Sequence, residues 1–272
     1  MSQGRVLIIA GSDSGGGAGI QADIKTVNAL GGYAATAVTA ITVQDTKGVH
    51  AVAAVPDDII RQQIDVVLAD IGADCIKIGM IGSLGAGEVI VQALANAPDI
   101  PVVLDPVLVA TSGDSLGDSD VAALLKAELL PRAAVVTPNV PELEALSGTA
   151  IVDAQGLADA AGVLVTAGAR AVLAKGGHLA GTTVTDLLVT EDSAEPFNHQ
   201  RQKTRHTHGT GCTLASAVAT GLAQGMDLPA ATERAVNYVE AAILHAPGLG
   251  AGHGPLCHAL TKDETGQFKP IA

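Results

Sequence analysis

Aromatic residues are nearly missing from this chain: its 272 residues include two Phe, two Tyr and no Trp. A core of any size must then be assembled from Ala, Val, Leu and Ile, which suits helices packed closely on a sheet. Positive charge is also scarce, with 15 Lys and Arg against 28 Asp and Glu and a net charge of −13. A nucleic-acid or anionic-membrane surface would need a local basic patch to offset that field, and the sequence has none. The densest positive stretch, Arg201 to Arg205, reads as a solvated strand or loop. Three cysteines, Cys75, Cys212 and Cys257, stand far apart with no Cys-x-x-Cys pair. That argues against a disulfide framework or structural zinc and for a reducing compartment, the cytoplasm. Val6 to Ala10 is too short for a signal-peptide core or a membrane span and reads as a first buried strand. No internal repeat and no linker rich in Pro, Ser or charge divides the chain, so residues 1–272 are expected to form a single domain.

What is present is a rhythm. Short apolar runs at Arg5–Gly11, Ala35–Val43, Cys75–Met80, Pro101–Asp105, Ala134–Thr137 and Ala171–Lys175 read as strands. Helical periodicity lies between them at Gly17–Leu30, Asp57–Asp70, Gly85–Asn96, Ser119–Leu129, Pro141–Leu146 and Asp153–Ala167. Asp57 is placed as a cap, Gly31-Gly32 as a stop, and Pro141 where a missing N–H costs nothing. Continuous apolar strands joined by helices predict an α/β fold, a mostly parallel sheet covered on both faces. After Lys175 the pattern changes. Thr182–Thr190 and Glu195–Thr204 have no helix between them and predict an antiparallel edge hairpin, followed by helices at Gly211–Gly225 and Pro229–His245. Pro247–Ala272 reads as loop and edge.

Ligands of such sheets bind outside the carboxyl ends of the strands. Polar and Gly residues gather after each strand: Gly11 to Gly19, Gln44-Asp45, Lys77 to Ser83, Asp105-Pro106, Thr137 to Glu142 and Lys175 to His178. The first of these is neither a Walker A loop, since Lys25-Thr26 follows Ile24, nor a dinucleotide fingerprint, which lacks its third Gly. The most informative stretch is His206-Thr-His-Gly-Thr-Gly-Cys-Thr213 before an apolar helix. A Gly-rich turn opening a helix presents unpaired N–H groups at a positive dipole end, a place for phosphate, and the same field favours a thiolate at Cys212. His206, His208 and Cys212 are spaced unlike a zinc site. Cys75 and Cys257 read as inert, and Lys77, odd in an apolar strand, as a buried stem whose amine reaches the rim. Asp105 and Asn139-x-x-Glu142 suit Mg²⁺, but from spacing alone a turn cap and a helix-dipole partner explain them better.

Together these blocks resemble the ribokinase-like superfamily and, within it, the hydroxymethylpyrimidine/phosphomethylpyrimidine kinases of thiamine biosynthesis. The matching segments are Ala10 to Thr26, Lys77-Ile-Gly-Met80, Leu104 to Val107 with Ser112-Gly-Asp114, Thr137-Pro-Asn-x-Pro-Glu142, Lys175-Gly-Gly-His178 and Thr207 to Thr213. The resemblance implies a three-layer ribokinase-like fold and ATP-dependent phosphorylation of 4-amino-5-hydroxymethyl-2-methylpyrimidine, then of its monophosphate, in the same site. It implies an anion hole from Gly209, Thr210, Gly211 and Cys212, with Cys212 either taking the hydroxyl proton or only orienting it. Asn139 and Glu142 match the family's Mg²⁺ motif, with Asp105 beside them, and Lys175 and Thr207 serve the nucleotide. Gly11, Asp23 and Met80 match pocket positions, and Gln44 is expected to read the aminopyrimidine edge because an amide offers donor and acceptor together. Family members are commonly dimers.

One departure concerns the last helix, where some members carry a Lys near the phosphates and this chain reads Val236-Asn237. Another cation would then have to serve the second transfer. Pyridoxal kinase is the nearest rival reading. A sugar kinase is disfavoured because Cys212 replaces the Asp those enzymes use. A non-catalytic nucleotide-binding regulator is disfavoured because Asn139, Glu142, Lys175 and Cys212 are all retained.

Overall fold

The computed structural model describes residues 3–107 and 119–271. Its first strand, β1 (Arg5–Asp13), turns Val6, Ile8 and Ala10 to one side and Leu7 and Ile9 to the other, all buried. That alternation divides the core into two layers. Leu7 and Ile9 pack with α2 (Asp57–Asp70), α3 (Leu84–Ala95), α4 (Ser119–Leu124), α5 (Val140–Ser147) and α6 (Ala154–Thr166) through residues such as Ile60, Ile90, Val121, Leu143 and Leu157. Val6, Ile8 and Ala10 pack with α1 (Gly19–Ala29), α7 (Thr210–Ala223) and α8 (Leu228–Leu244) through Val27, Val218 and Val239. Alanine is frequent at the second contact, which lets α7 lie close to the sheet.

The sheet has nine strands in the order β3-β2-β1-β4-β5-β6-β7-β8-β9. These are β2 (Tyr33–Gln44), β3 (Val49–Ala54), β4 (Cys75–Ile78), β5 (Val102–Leu104), β6 (Val135–Val136), β7 (Val172–Ala174), β8 (Thr183–Val189) and β9 (Ala194–Gln200). Pairing is parallel from β2 through β1 and β4 to β7, and β7, β8 and β9 then run antiparallel. The mostly parallel sheet, the helices on both faces and the edge hairpin agree with the sequence reading.

Four features differ from it. At the far edge β3 pairs antiparallel with β2, where no strand was expected. None of its residues is buried, so it carries no alternation of exposed and buried positions to betray it. The tail is not simply loop: β10 (Leu260–Lys262) and β11 (Phe268–Pro270) pair, and Leu256, His258 and Leu260 are buried. Asp57 lies in the first turn of α2, and the capping position is Pro56. The helix expected over 119–129 becomes a π turn after Leu124, and the Ser112-Gly-Asp114 motif lies outside the described residues. Among the described residues no helix is long and apolar enough to cross a membrane.

Candidate active site

A cavity of about 520 Å³ opens at the carboxyl ends of the parallel strands, where their polar termini converge. Its floor is the start of α7. Gly209 holds φ 84°, and a Cβ there would overlap the Gly17 carbonyl, so only glycine lets the phosphate turn rest against the first Gly-rich loop. No side chain caps this helix. Thr213 N–H bonds to the Gly209 carbonyl at 2.9 Å, and Thr210 Oγ1 donates to the Thr207 carbonyl at 2.7 Å. The N–H groups of Gly211 and Cys212 thus have no intrahelical partner, the arrangement that suits an anion.

Cys212 lines the same cavity. From the sequence its place at a helix start favours a thiolate, and burial works against that. Burial pushes the thiol up to about 12; Lys77 and the Gly19 N–H pull it down, while Asp23 and Asp105 push it further up. Burial is the largest of these influences and favours the neutral thiol. Lys77 has both Asp23 oxygens at 3.0 Å, and Asp23 Oδ1 also accepts from Ser216 Oγ at 2.7 Å. Burial disfavours the ammonium, but Asp23 overrides it, with help from Asp105, and holds Lys77 above its ordinary range. Asp23 was expected to touch substrate. It is fully buried behind Lys77, which lines the cavity in its place.

On the facing side, Lys175 lies 3.1 Å from Asp105 and 3.9 Å from Glu142. Thr137 Oγ1 donates to Asp105 at 3.2 Å. Asn139 and Glu142 form a reciprocal capping box at the start of α5: each side chain accepts the other's backbone N–H at 2.9 Å. The capping reading of the Asn-x-x-Glu spacing holds, and the box fixes a carboxylate that lines the cavity. Burial pushes the Glu142 carboxyl up to about 7; Lys175 opposes this, and Asp105 adds to it. Two buried carboxylates sharing one lysine leave negative charge for a hard cation to offset. Among the described residues no group of three His, Cys, Asp or Glu could hold a metal by itself, so such a cation would take its other ligands from water and phosphate.

The remaining wall belongs to the ends of β1 and β2. Gly11 and Met80 line it together, and a Cβ on Gly11 would lie 2.9 Å from the Met80 sulfur. Gln44 is here too, its Oε1 3.0 Å from Thr42 Oγ1 and its Nε2 3.4 Å from His208 Nε2. Sequence reasoning gave no role to Asp13, although it organises the loop. Its carboxylate accepts from the N–H groups of Gly15, Gly17 and Ala18 at 2.8–3.0 Å and lies 2.9 Å from His208 Nε2. Burial pushes Asp13 up, but His208 and the amides prevail and keep it below the usual carboxylate range. An Asp between a strand and a Gly run is the available signal, being the residue that most readily holds a turn through its own side chain. His208, weighed for zinc in the sequence, is committed to Asp13.

Arg201 was read as solvated, and it is a clamp. Its Nε donates to the Gly181 carbonyl at 2.8 Å, Nη1 to Gly177 at 2.7 Å, and Nη2 to Leu179. It fixes the turn that follows Lys175. Val236 is buried in the α8 core, and Asn237 lines a separate cavity with Arg234 and Phe268, so neither reaches the phosphate turn.

Residues 13–257 match the model of the phosphomethylpyrimidine kinase family. The chain is 48% identical to the hydroxymethylpyrimidine/phosphomethylpyrimidine kinase of Rhizobium meliloti, covering 93% of this chain and 96% of that one. It is 46% identical to the thiamine biosynthesis bifunctional protein ThiED of Geobacter sulfurreducens over 96% of its length, and spans 54% of that longer protein. Among solved structures, an ADP complex of Bacillus subtilis pyridoxal kinase superposes with a TM-score of 0.89 at 34% identity, covering 95% of this chain and 98% of that one. The phosphomethylpyrimidine kinase of Clostridium difficile superposes with a TM-score of 0.77 at 37% identity, covering 86% and 97%.

Proposed function

The chain belongs to the phosphomethylpyrimidine kinase family, and we propose that it phosphorylates 4-amino-5-hydroxymethyl-2-methylpyrimidine and then the resulting monophosphate, using ATP, in thiamine biosynthesis. The observation that carries this reading is the shared cavity. The uncapped α7 turn, the Asp105–Lys175–Glu142 cluster and the Gln44 amide face one space, so a ring hydroxyl and a phosphoryl group can meet there.

Gln44 reads the ring edge, and Gly11 and Met80 bound it. The backbone N–H groups of the Gly209, Thr210, Gly211 and Cys212 turn hold the charge that develops on the transferred phosphoryl group. Lys175 neutralises the nucleotide phosphates, aided by Thr207. Asp105, Glu142 and Asn139 are the residues that would hold Mg²⁺, which supplies charge neutralisation on the phosphate oxygens. In a loose phosphoryl-transfer transition state the attacking hydroxyl is still nearly neutral. A neutral Cys212 thiol can therefore orient that hydroxyl without acting first as a strong base. With no last-helix lysine in reach, Lys175 is the cation that serves both transfers.

Homodimer formation is part of the proposal. Its support is the outer edge of the sheet, where Ile41, Val43 and Val52 are 55%, 56% and 48% exposed on paired strands. A cytoplasmic setting is supported by three free cysteines.

The test is a coupled ATP assay with the pyrimidine alcohol, its monophosphate and pyridoxal supplied separately. Turnover of both pyrimidines with clear preference over pyridoxal is expected. The fit to pyridoxal kinase makes preference for pyridoxal the result that would replace this reading.

A further inference from the structure

Two neighbours orient the Gln21 side-chain amide. One end meets the Asp13 backbone N–H at 2.9 Å, and because that group only donates, this end is the oxygen. The other end is then the nitrogen, which only donates and lies 2.8 Å from Ser12 Oγ. Ser12 Oγ is therefore the acceptor of this bond, and its own hydrogen is turned away from Gln21. Among the described residues no group accepts that hydrogen, and Ser12 lines the cavity. A donor without a protein partner thus stands on the cavity wall.

Its place on the sheet says what it would meet. Ser12 is in register with Ile41, so Gln44 stands three residues further along the neighbouring strand, about 10 Å on at about 3.3 Å per residue. A six-membered ring held by a hydrogen bond of about 3 Å at each side fills a gap of that size. In 4-amino-5-hydroxymethyl-2-methylpyrimidine the Gln44 amide takes the amino group and the ring nitrogen beside it. The second ring nitrogen lies across the ring from the amino-bearing carbon, and its lone pair accepts. It belongs to the edge turned away from Gln44, toward β1.

We infer that the Ser12 hydroxyl binds the pyrimidine by donating to this second ring nitrogen, and that Gln21 is the positioning residue that commits the hydroxyl to donate. The inference rests on the pyrimidine reading of the site. A free hydroxyl offers either a hydrogen or a lone pair. Gln21 removes that choice by occupying the lone-pair side. A ring that carries N–H at this position then sets donor against donor and is rejected.

The test compares kcat/KM for the pyrimidine alcohol and for its analogue with C–H in place of the second ring nitrogen. Four proteins are used: the wild type, Ser12→Ala, Gln21→Glu and the double variant. The wild type should prefer the pyrimidine by about tenfold or more. Ser12→Ala should remove most of that preference through KM, with the ATP KM within about threefold of the wild type. Gln21→Glu keeps an oxygen for the Asp13 N–H, but its second oxygen takes the Ser12 hydrogen and turns a lone pair toward the ring. It should cost the pyrimidine at least as much as Ser12→Ala does, yet add little in the Ser12→Ala background. Equal losses for both rings in Ser12→Ala overturn the contact. The same cost of Gln21→Glu in both backgrounds overturns the positioning role. If Ser12→Ala does not fold, equal use of both rings by the wild type overturns the contact as well. Failure of the wild type to phosphorylate the pyrimidine alcohol at all would instead remove the pyrimidine reading itself.

Discussion

Lys77 Nζ sits 3.0 Å from each carboxylate oxygen of Asp23, and neither side chain is exposed to solvent. The pair joins the centre of the sheet to α1 and, through Ser216, to α7, directly beneath Cys212. A buried ion pair contributes little over a well-packed apolar pair, but removing one partner strands the other. Lys77→Met should therefore destabilise the protein by about 3–5 kcal/mol, and Lys77→Met with Asp23→Leu should recover most of the loss. Urea unfolding of the three proteins checks this. A single variant as stable as the double would show that the pair is not what holds these elements together.

Cys212 should behave as a neutral thiol. With burial holding it up at about 12, iodoacetamide near neutral pH should label it at least about a hundredfold more slowly than a free thiol, since only the thiolate reacts. Peptide mapping by mass spectrometry reads this directly, and rapid labelling would restore the thiolate. Cys212→Ala should lower kcat by about a hundredfold and leave the pyrimidine KM within about threefold, as for a group used chiefly in the transition state.

Arg201 should matter to the nucleotide and not to the ring. Its three carbonyl contacts hold the turn after Lys175, and hydrogen bonds to a charged group contribute about 1.5–3 kcal/mol each. Arg201→Gln should raise the ATP KM by about tenfold or more with the pyrimidine KM little changed. Equal shifts in both constants would assign it a general structural role.

His258, from the tail, lies 2.9 Å from Thr213 in the first turn of α7. Burial lowers its pKa from 6.5 to about 4, with Lys25 adding to the shift. Its folded-state value is below its unfolded one, so its contribution is complete above pH 6.5 and is lost as pH falls toward 4. Across that window the wild type should lose about 3 kcal/mol more stability than His258→Gln, which does not titrate. Parallel pH dependence in the two proteins would remove the linkage.

The apolar, exposed edge made by β2 and β3 gives a last check. If the proposed homodimer forms through this edge, Ile41→Glu with Val43→Glu should leave the kinase folded and shift its sedimentation to that of a monomer. An unchanged dimer would place the interface elsewhere.

Much was decided by the sequence alone. Alternating apolar strands and capped helices specify a mostly parallel sheet with two covered faces, because period and length are local properties. Chain order places polar strand ends on one rim, and the family resemblance, rather than spacing, picked Gln44, Asp105, Glu142 and Lys175 out of them without coordinates. Tertiary structure decided what those groups are. Whether Cys212 is a thiol or a thiolate depends on burial and on Lys77, Asp23 and Asp105, which come from distant parts of the chain. Asp23 left the pocket because Lys77 stands in front of it. Asp13 and His208, which lie 195 positions apart, became one unit across the cavity. Long-range contacts of that kind have no local periodicity, and β3 and the tail stayed hidden for the same reason: each is defined by what it packs against.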